Sequence, residues 1–116
     1  MTPLRILTES ISRAELQSLA EEGFGDMVKA VVDVRREVLA IGGELHSDEE
    51  AALLEDGADQ RDLWGINLHP TELGDAMIEF DSMINVRPKQ GNRSRDVEDE
   101  GLRERIRSIV AQWVVG

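Results

Sequence analysis

Apolar and polar positions along this chain follow two periods, and the switches between them mark out its elements. Residues 27–35 alternate strictly, with Val28, Ala30, Val32 and Val34 on one side and Lys29, Val31, Asp33 and Arg35 on the other. A period of two describes a half-buried strand. After a tight turn at Arg36 and Glu37, residues 38–45 form the returning strand. Its Gly42 and Gly43 mark a bulge, or a place where another backbone or a ligand comes close. Residues 62–69 read as a third strand, with Trp64, Ile66 and Leu68 on one face and Leu63, Gly65, Asn67 and His69 on the other. The longest strand is expected over 77–87, with Ile78, Phe80, Ile84 and Val86 inward and Glu79, Asp81, Asn85 and Arg87 outward. Ser82 interrupts its apolar side, which suits a bend near Met83, and Pro88 stops the ladder.

Helical spacing appears three times. Ser12 and Glu15 form a capping box, Ile11 and Leu16 a hydrophobic staple, and Leu16, Leu19 and Ala20 one apolar stripe that ends at Gly23. Phe24 then fills the core after the turn. Ser47 and Glu50 form a second capping box, opening a short helix through Glu55 that stops at Gly57. A last helix begins near Asp99 and buries Leu102, Ile106, Ile109, Val110 and Trp113. Residues 1–10 form a lead-in whose Leu4, Ile6 and Leu7 pair at a sheet edge or pack beneath it. The order helix-strand-strand-helix-strand-strand-helix defines an α+β fold. It predicts a mainly antiparallel sheet of about four strands with three helices on its apolar face, in two layers.

Length and composition narrow the picture. The 116 residues make one domain, 1–116, whose core is aliphatic because Phe24, Trp64, Phe80 and Trp113 are its aromatic side chains. No cysteine is present, so disulfides, thiolate nucleophiles and cysteine-based metal sites are excluded. A formal charge of −11 opposes nucleic-acid binding. No apolar run approaches the roughly 20 residues that cross a bilayer, and the N-terminus lacks the apolar region of a signal peptide. Cytoplasmic residence is expected.

Three groups of residues are candidates for chemistry. Glu44, His46 and Asp48, with Glu49 and Glu50 behind them, offer carboxylates and an imidazole to a divalent cation, calcium or magnesium. Residues 44–62 hold eight acids and one arginine, although neither an HExxH zinc motif nor an EF-hand loop is present. The second group is the basic stretch after the long strand: Asn85, Arg87, Lys89, Gln90, Asn92, Arg93, Ser94 and Arg95. Arginines recognise phosphate and carboxylate groups, and Gly91 permits a close turn, but there is no P-loop. The same cations could equally pair with Asp96, Glu98, Asp99 or the acidic segment as an internal brace. The third is a shared polar sheet face of Asp33, Asn67, His69, Glu79 and Asp81, which also describes the wetted side of an ordinary sheet.

The segments FGDMVKAVVDV (24–34), IGGELHSDEE (41–50), LLEDG (53–57), DLWGINL (62–68), IEFDSMINVRP (78–88) and QGNRSRDVED (90–99) resemble a small prokaryotic family of uncharacterised α+β proteins, a domain of unknown function. The resemblance covers nearly the whole chain. It implies an α+β fold and, through a similar archaeal protein described as calcium-binding, favours a cation near Glu44, Asp48, Glu49 and Glu50. It implies no enzyme chemistry. The leading expectation is a small binding protein with a weak cation site and a basic loop for an anionic ligand or protein partner. A metal-assisted hydrolase using Glu44, His46, Asp81 and Arg93 is the runner-up. A homodimer formed through a sheet edge or the polar face is the third reading.

Overall fold

The computed structural model describes residues 4–116, so the first three residues of the expected lead-in lie outside the described residues. Its centre is the hairpin of β3 (Val28–Asp33) and β4 (Val38–Ile41), followed across the sheet by β5 (Leu63–Leu68). Strands β3 and β5 pair over their full length, from Val28 against Leu68 to Asp33 against Leu63. Two short edge strands, β1 (Arg5–Ile6) and β6 (Ile78–Glu79), complete the order β1-β4-β3-β5-β6, every pairing antiparallel. A separate parallel pair, β2 (Ile11–Ser12) with β7 (Val114–Val115), ties the two ends of the described chain together. The expected α+β fold, mainly antiparallel with three helices, is the one observed.

The outer helices form as their patterns predict. Helix α1 (Arg13–Glu22) is capped by Ser12, whose hydroxyl accepts the Glu15 N–H, and the staple residues Ile11 and Leu16 are both buried. Helix α3 (Glu100–Trp113) is capped by Asp99, which accepts from the N–H groups of Gly101 and Leu102. Leu16 and Ala20 of the first and Ile106, Ile109 and Val110 of the second pack on Val28, Ala30, Val32, Ile41, Trp64 and Ile66. Burying each large aliphatic side chain there contributes about 1.5–3 kcal/mol.

The expected two layers become three, because the middle helix crosses to the other face. Helix α2 (His46–Glu55) sets Leu53 on Val31, Ala40 and Leu63, with Ile6, Val38 and Ile84 around them. The reason lies in β3 and β5 themselves: Val31 and Leu63 point away from the first core and need a cover of their own. The polar sheet face expected to be wet is therefore partly closed, and Asp33 and Asn67 are buried. The expected Ser47 cap is also absent. The helix starts two residues earlier, after Leu45, whose side chain makes no capping bond.

The long fourth strand is the larger correction. Pairing lasts only for Ile78–Glu79, after which the chain turns through 3-10 segments at Met83–Asn85 and Pro88–Gln90. Ser82, which breaks the apolar alternation, is buried and caps the first segment by accepting the Ile84 N–H. The alternation then inverts: Val86, expected inside, is exposed, while Asn85, expected outside, is fully buried. Phe24, expected in the core, is 47% exposed.

Candidate functional site

The basic stretch is densely hydrogen-bonded to the rest of the protein and to itself. The buried Asn85 side chain accepts the Gly65 N–H at 2.8 Å and donates to Gly65 O at 2.9 Å and Arg95 O at 3.0 Å. Asn92 donates to the carbonyls of Asn85, Ser94 and Asp96, and its Oδ1 accepts the Glu98 N–H. Arg87 donates to the carbonyls of Ile84, Gln60 and Leu63, stacks 4.5 Å from the Trp64 ring centroid, and lies 4.0 Å from Glu50. Burial pulls its guanidinium below the ordinary value, and Glu50 opposes that shift. Gln90 donates to Arg61 O. Arg87 and Asn92 close a tight hairpin around Gly91, which holds φ 82°. Asn85 and Arg87 stitch the segment onto β5, Gln90 ties it to Arg61 and Asn92 braces it internally, which leaves little of their hydrogen-bonding capacity to a ligand.

The remaining members of the group are exposed. Arg95 pairs with Asp81 at 2.6 Å, while the backbone N–H groups of Arg93 and Ser94 and the Ser94 hydroxyl all donate to Glu98 Oε2. Those bonds hold the Glu98 carboxyl below its ordinary pKa, the Ser94 hydroxyl first. Lys89 and Arg93 are in no ion pair among the described residues.

The acidic group is dispersed by its own helix. Glu44 is exposed ahead of α2 and Asp48 is exposed in its first turn. Glu50 turns toward Arg87, and Glu49 is fully buried. His46 Nε2–H donates to Ile66 O at 2.8 Å, and burial lowers its pKa, so the neutral ring with its proton on Nε2 is the favoured form. Among the described residues no three histidine, aspartate or glutamate side chains are grouped so as to hold a metal ion.

Part of the polar face does assemble. Asn67 Nδ2 donates to Glu79 Oε1 at 3.0 Å and to Asp81 O at 3.3 Å, and His69 Nε2 stands 3.2 Å from the same Glu79 oxygen. Lys29 is the register partner of Asn67. Asp81 and His46, two of the four residues named for hydrolysis, both bond to neighbouring residues of β5: Asp81 O accepts from Asn67, and His46 reaches Ile66 O. Asp33 stands apart, its Oδ1 accepting the N–H groups of Arg35 and Arg36 to close the β3–β4 turn.

A cleft of about 500 Å³ opens at the end of the sheet next to Lys29. Its walls come from the end of α1 (Leu19, Gly23), from Phe24 and Met27, and from residues 42–45. Phe24 is 47% and Leu45 54% exposed, so the mouth is apolar. The Lys29 ammonium lies 5.0 Å from the Phe24 ring centroid, a cation–π distance, and is in no ion pair among the described residues. Glu22 and Glu44 stand among the lining residues. Sequence reasoning flagged Gly42 and Gly43 as a place of close approach, but it assigned Phe24 to the core and Lys29 to a different surface. The signal that could have joined them is a large aromatic just after a glycine stop and a few residues before a strand whose second residue is an outward lysine.

The fold is that of a small α+β domain, and the described residues form a pocket of ligand size. The chain belongs to the family described as protein of unknown function (DUF5674), which matches residues 5–113. No curated protein and no solved structure shows significant similarity to it. No helix of the described residues is long and apolar enough to cross a membrane.

Proposed function

We propose that the protein is a small binding protein whose ligand occupies the cleft beside Lys29. The observation that carries this reading is the cavity itself, about 500 Å³ with a lysine ammonium over an exposed phenylalanine. That volume falls within the range of small-molecule sites, which combine apolar walls with a few placed polar groups. The ligand has an apolar body against Phe24 and Leu45 and a carboxylate against Lys29. A bare anion meets the field of a chain of charge −11 and the lining acids Glu22 and Glu44. A compact zwitterion, of the apolar amino-acid or short-peptide kind, meets Lys29 with its carboxylate and Glu44 with its ammonium. The binding-protein class expected from the sequence is kept, and the site proposed for it is this cleft, which among the expected site residues includes Glu44.

Ligand-observed NMR with L-phenylalanine, phenylalanyl-leucine, 3-phenylpropionate and phenethylamine tests the reading. The zwitterions are expected to bind most tightly and to lose binding in Lys29→Met. Equal binding of the bare carboxylate would remove the zwitterion preference, and binding unaffected by Lys29→Met would remove the site.

A further inference from the structure

Glu49 does not line the cleft, yet it holds one of its walls. It sits one turn before Leu53, and these two are the buried residues of α2. An acid therefore occupies a position where the helix pattern calls for an apolar side chain. Its Oε2 accepts the Gly43 N–H at 2.9 Å, and its Oε1 has no partner among the described residues. Gly43 makes the approach possible, because a Cβ there would stand 2.8 Å from Glu49 Cγ. Gly42, with φ 89°, turns the chain out of β4 just before this contact. Residues 42–45, which the carboxyl thereby fastens to α2, form a wall of the cleft.

We propose that the contact between Glu49 and Gly43 is a latch on the ligand cleft: while it is made the wall stands and ligand is retained, and when Glu49 swings to solvent both are released. This rests on the cleft being the binding site. The charges around Glu49 are Lys29 from β3 and Asp48 from its own helix turn. His46 faces Ile66 O, Glu50 faces Arg87, Glu44 is exposed on the wall, and Arg5 of β1 pairs with Glu15. Burial outweighs the Gly43 bond and Lys29, and pushes the carboxyl up to about 9. Glu49 is therefore neutral at neutral pH, and mild alkali ionises it and makes its buried place unfavourable.

The test uses N,N,N-trimethylphenylalanine, a zwitterion whose ammonium carries no titrating proton. Its affinity for the wild type is expected to fall about tenfold for each pH unit above the Glu49 transition, whereas Glu49→Gln, which keeps an oxygen for Gly43 but cannot ionise, loses distinctly less over the same range. In ligand-free protein the Gly43 amide ¹⁵N shift is expected to titrate with the same midpoint and to stay fixed in Glu49→Gln. Gly43→Ala, which drives the two groups apart, is expected to weaken binding already at neutral pH. Matching pH profiles in wild type and Glu49→Gln, or a Gly43 amide that does not titrate, would overturn the latch. If the probe fails to bind at any pH, the cleft reading fails, and the Gly43 amide still decides whether Glu49 holds the wall.

Discussion

Asn85 and Gly65 are joined by two hydrogen bonds, Gly65 N–H to Asn85 Oδ1 at 2.8 Å and Asn85 Nδ2–H to Gly65 O at 2.9 Å. Two residues of neighbouring strands exchange bonds in the same way. Here a side-chain amide takes the place of a strand residue on β5, where β6 has already left the sheet. Both backbone groups would otherwise be buried without partners.

Asn85→Ala removes that surrogate and leaves two backbone groups of Gly65 unsatisfied. The expected loss is roughly 2–4 kcal/mol of unfolding free energy, read from urea denaturation. A loss within the ordinary surface range of about 0.5 kcal/mol would contradict the pairing.

Gly65→Ala tests the same junction from the other side. Its Cβ would stand 2.5 Å from Ser82 Cβ and Oγ, atoms fixed to the backbone of the turn that carries Asn85. A cost of about 1–3 kcal/mol is expected from this overpacking, again by denaturant titration. Ser82→Gly should recover much of it in the double variant.

Arg87 and its neighbours divide the basic stretch into brace and surface. Arg87→Lys loses the planar fork that reaches the carbonyls of Ile84, Gln60 and Leu63 and the stack on Trp64, so a clear drop in thermal midpoint is expected. Lys89→Ala and Arg93→Ala should each stay within about 0.5 kcal/mol of the wild type. Comparable losses in all three would place the cations in one network.

Much of the fold was legible in the sequence because its signals were local. The Ser12 cap, the stripes on α1 and α3, and the alternation in β3 and β5 each predicted their element, and the stripes and the alternation also one of its buried sides. What was not legible depended on which groups meet across the sheet. Period two in residues 77–87 reads as strand, but the side chains of Ser82 and Asn85 satisfy backbone groups and end the ladder after Glu79. The side on which α2 packs is set by Val31 and Leu63, whose burial needs a cover that the pattern of α2 alone does not reveal. The basic stretch looked like an anion site because its residue types recognise anions, and the same donors recognise carbonyls. The cleft was hidden because Phe24, Lys29 and Gly43 come from three separate segments.

The buried Glu49 makes stability depend on pH in a definite direction. Its folded-state pKa of about 9 lies above the ordinary value of 4.5, so between the two the folded protein holds a proton that the unfolded chain has released. Its contribution is fully present below pH 4.5 and declines as pH rises toward 9, at no more than about 1.4 kcal/mol per unit. Glu49→Gln should flatten this decline in unfolding free energy measured from neutral to alkaline pH. An unchanged slope in the variant would mean that Glu49 is ionised in the folded state.

Amide chemical-shift mapping with phenylalanyl-leucine, in the wild type and in Lys29→Met, tests the ligand cleft most directly. Shift changes confined to Phe24, Lys29, Gly43, Leu45 and their neighbours, and lost in the variant, are the expected result. Changes centred on residues 85–95, or the same map in both proteins, would contradict it.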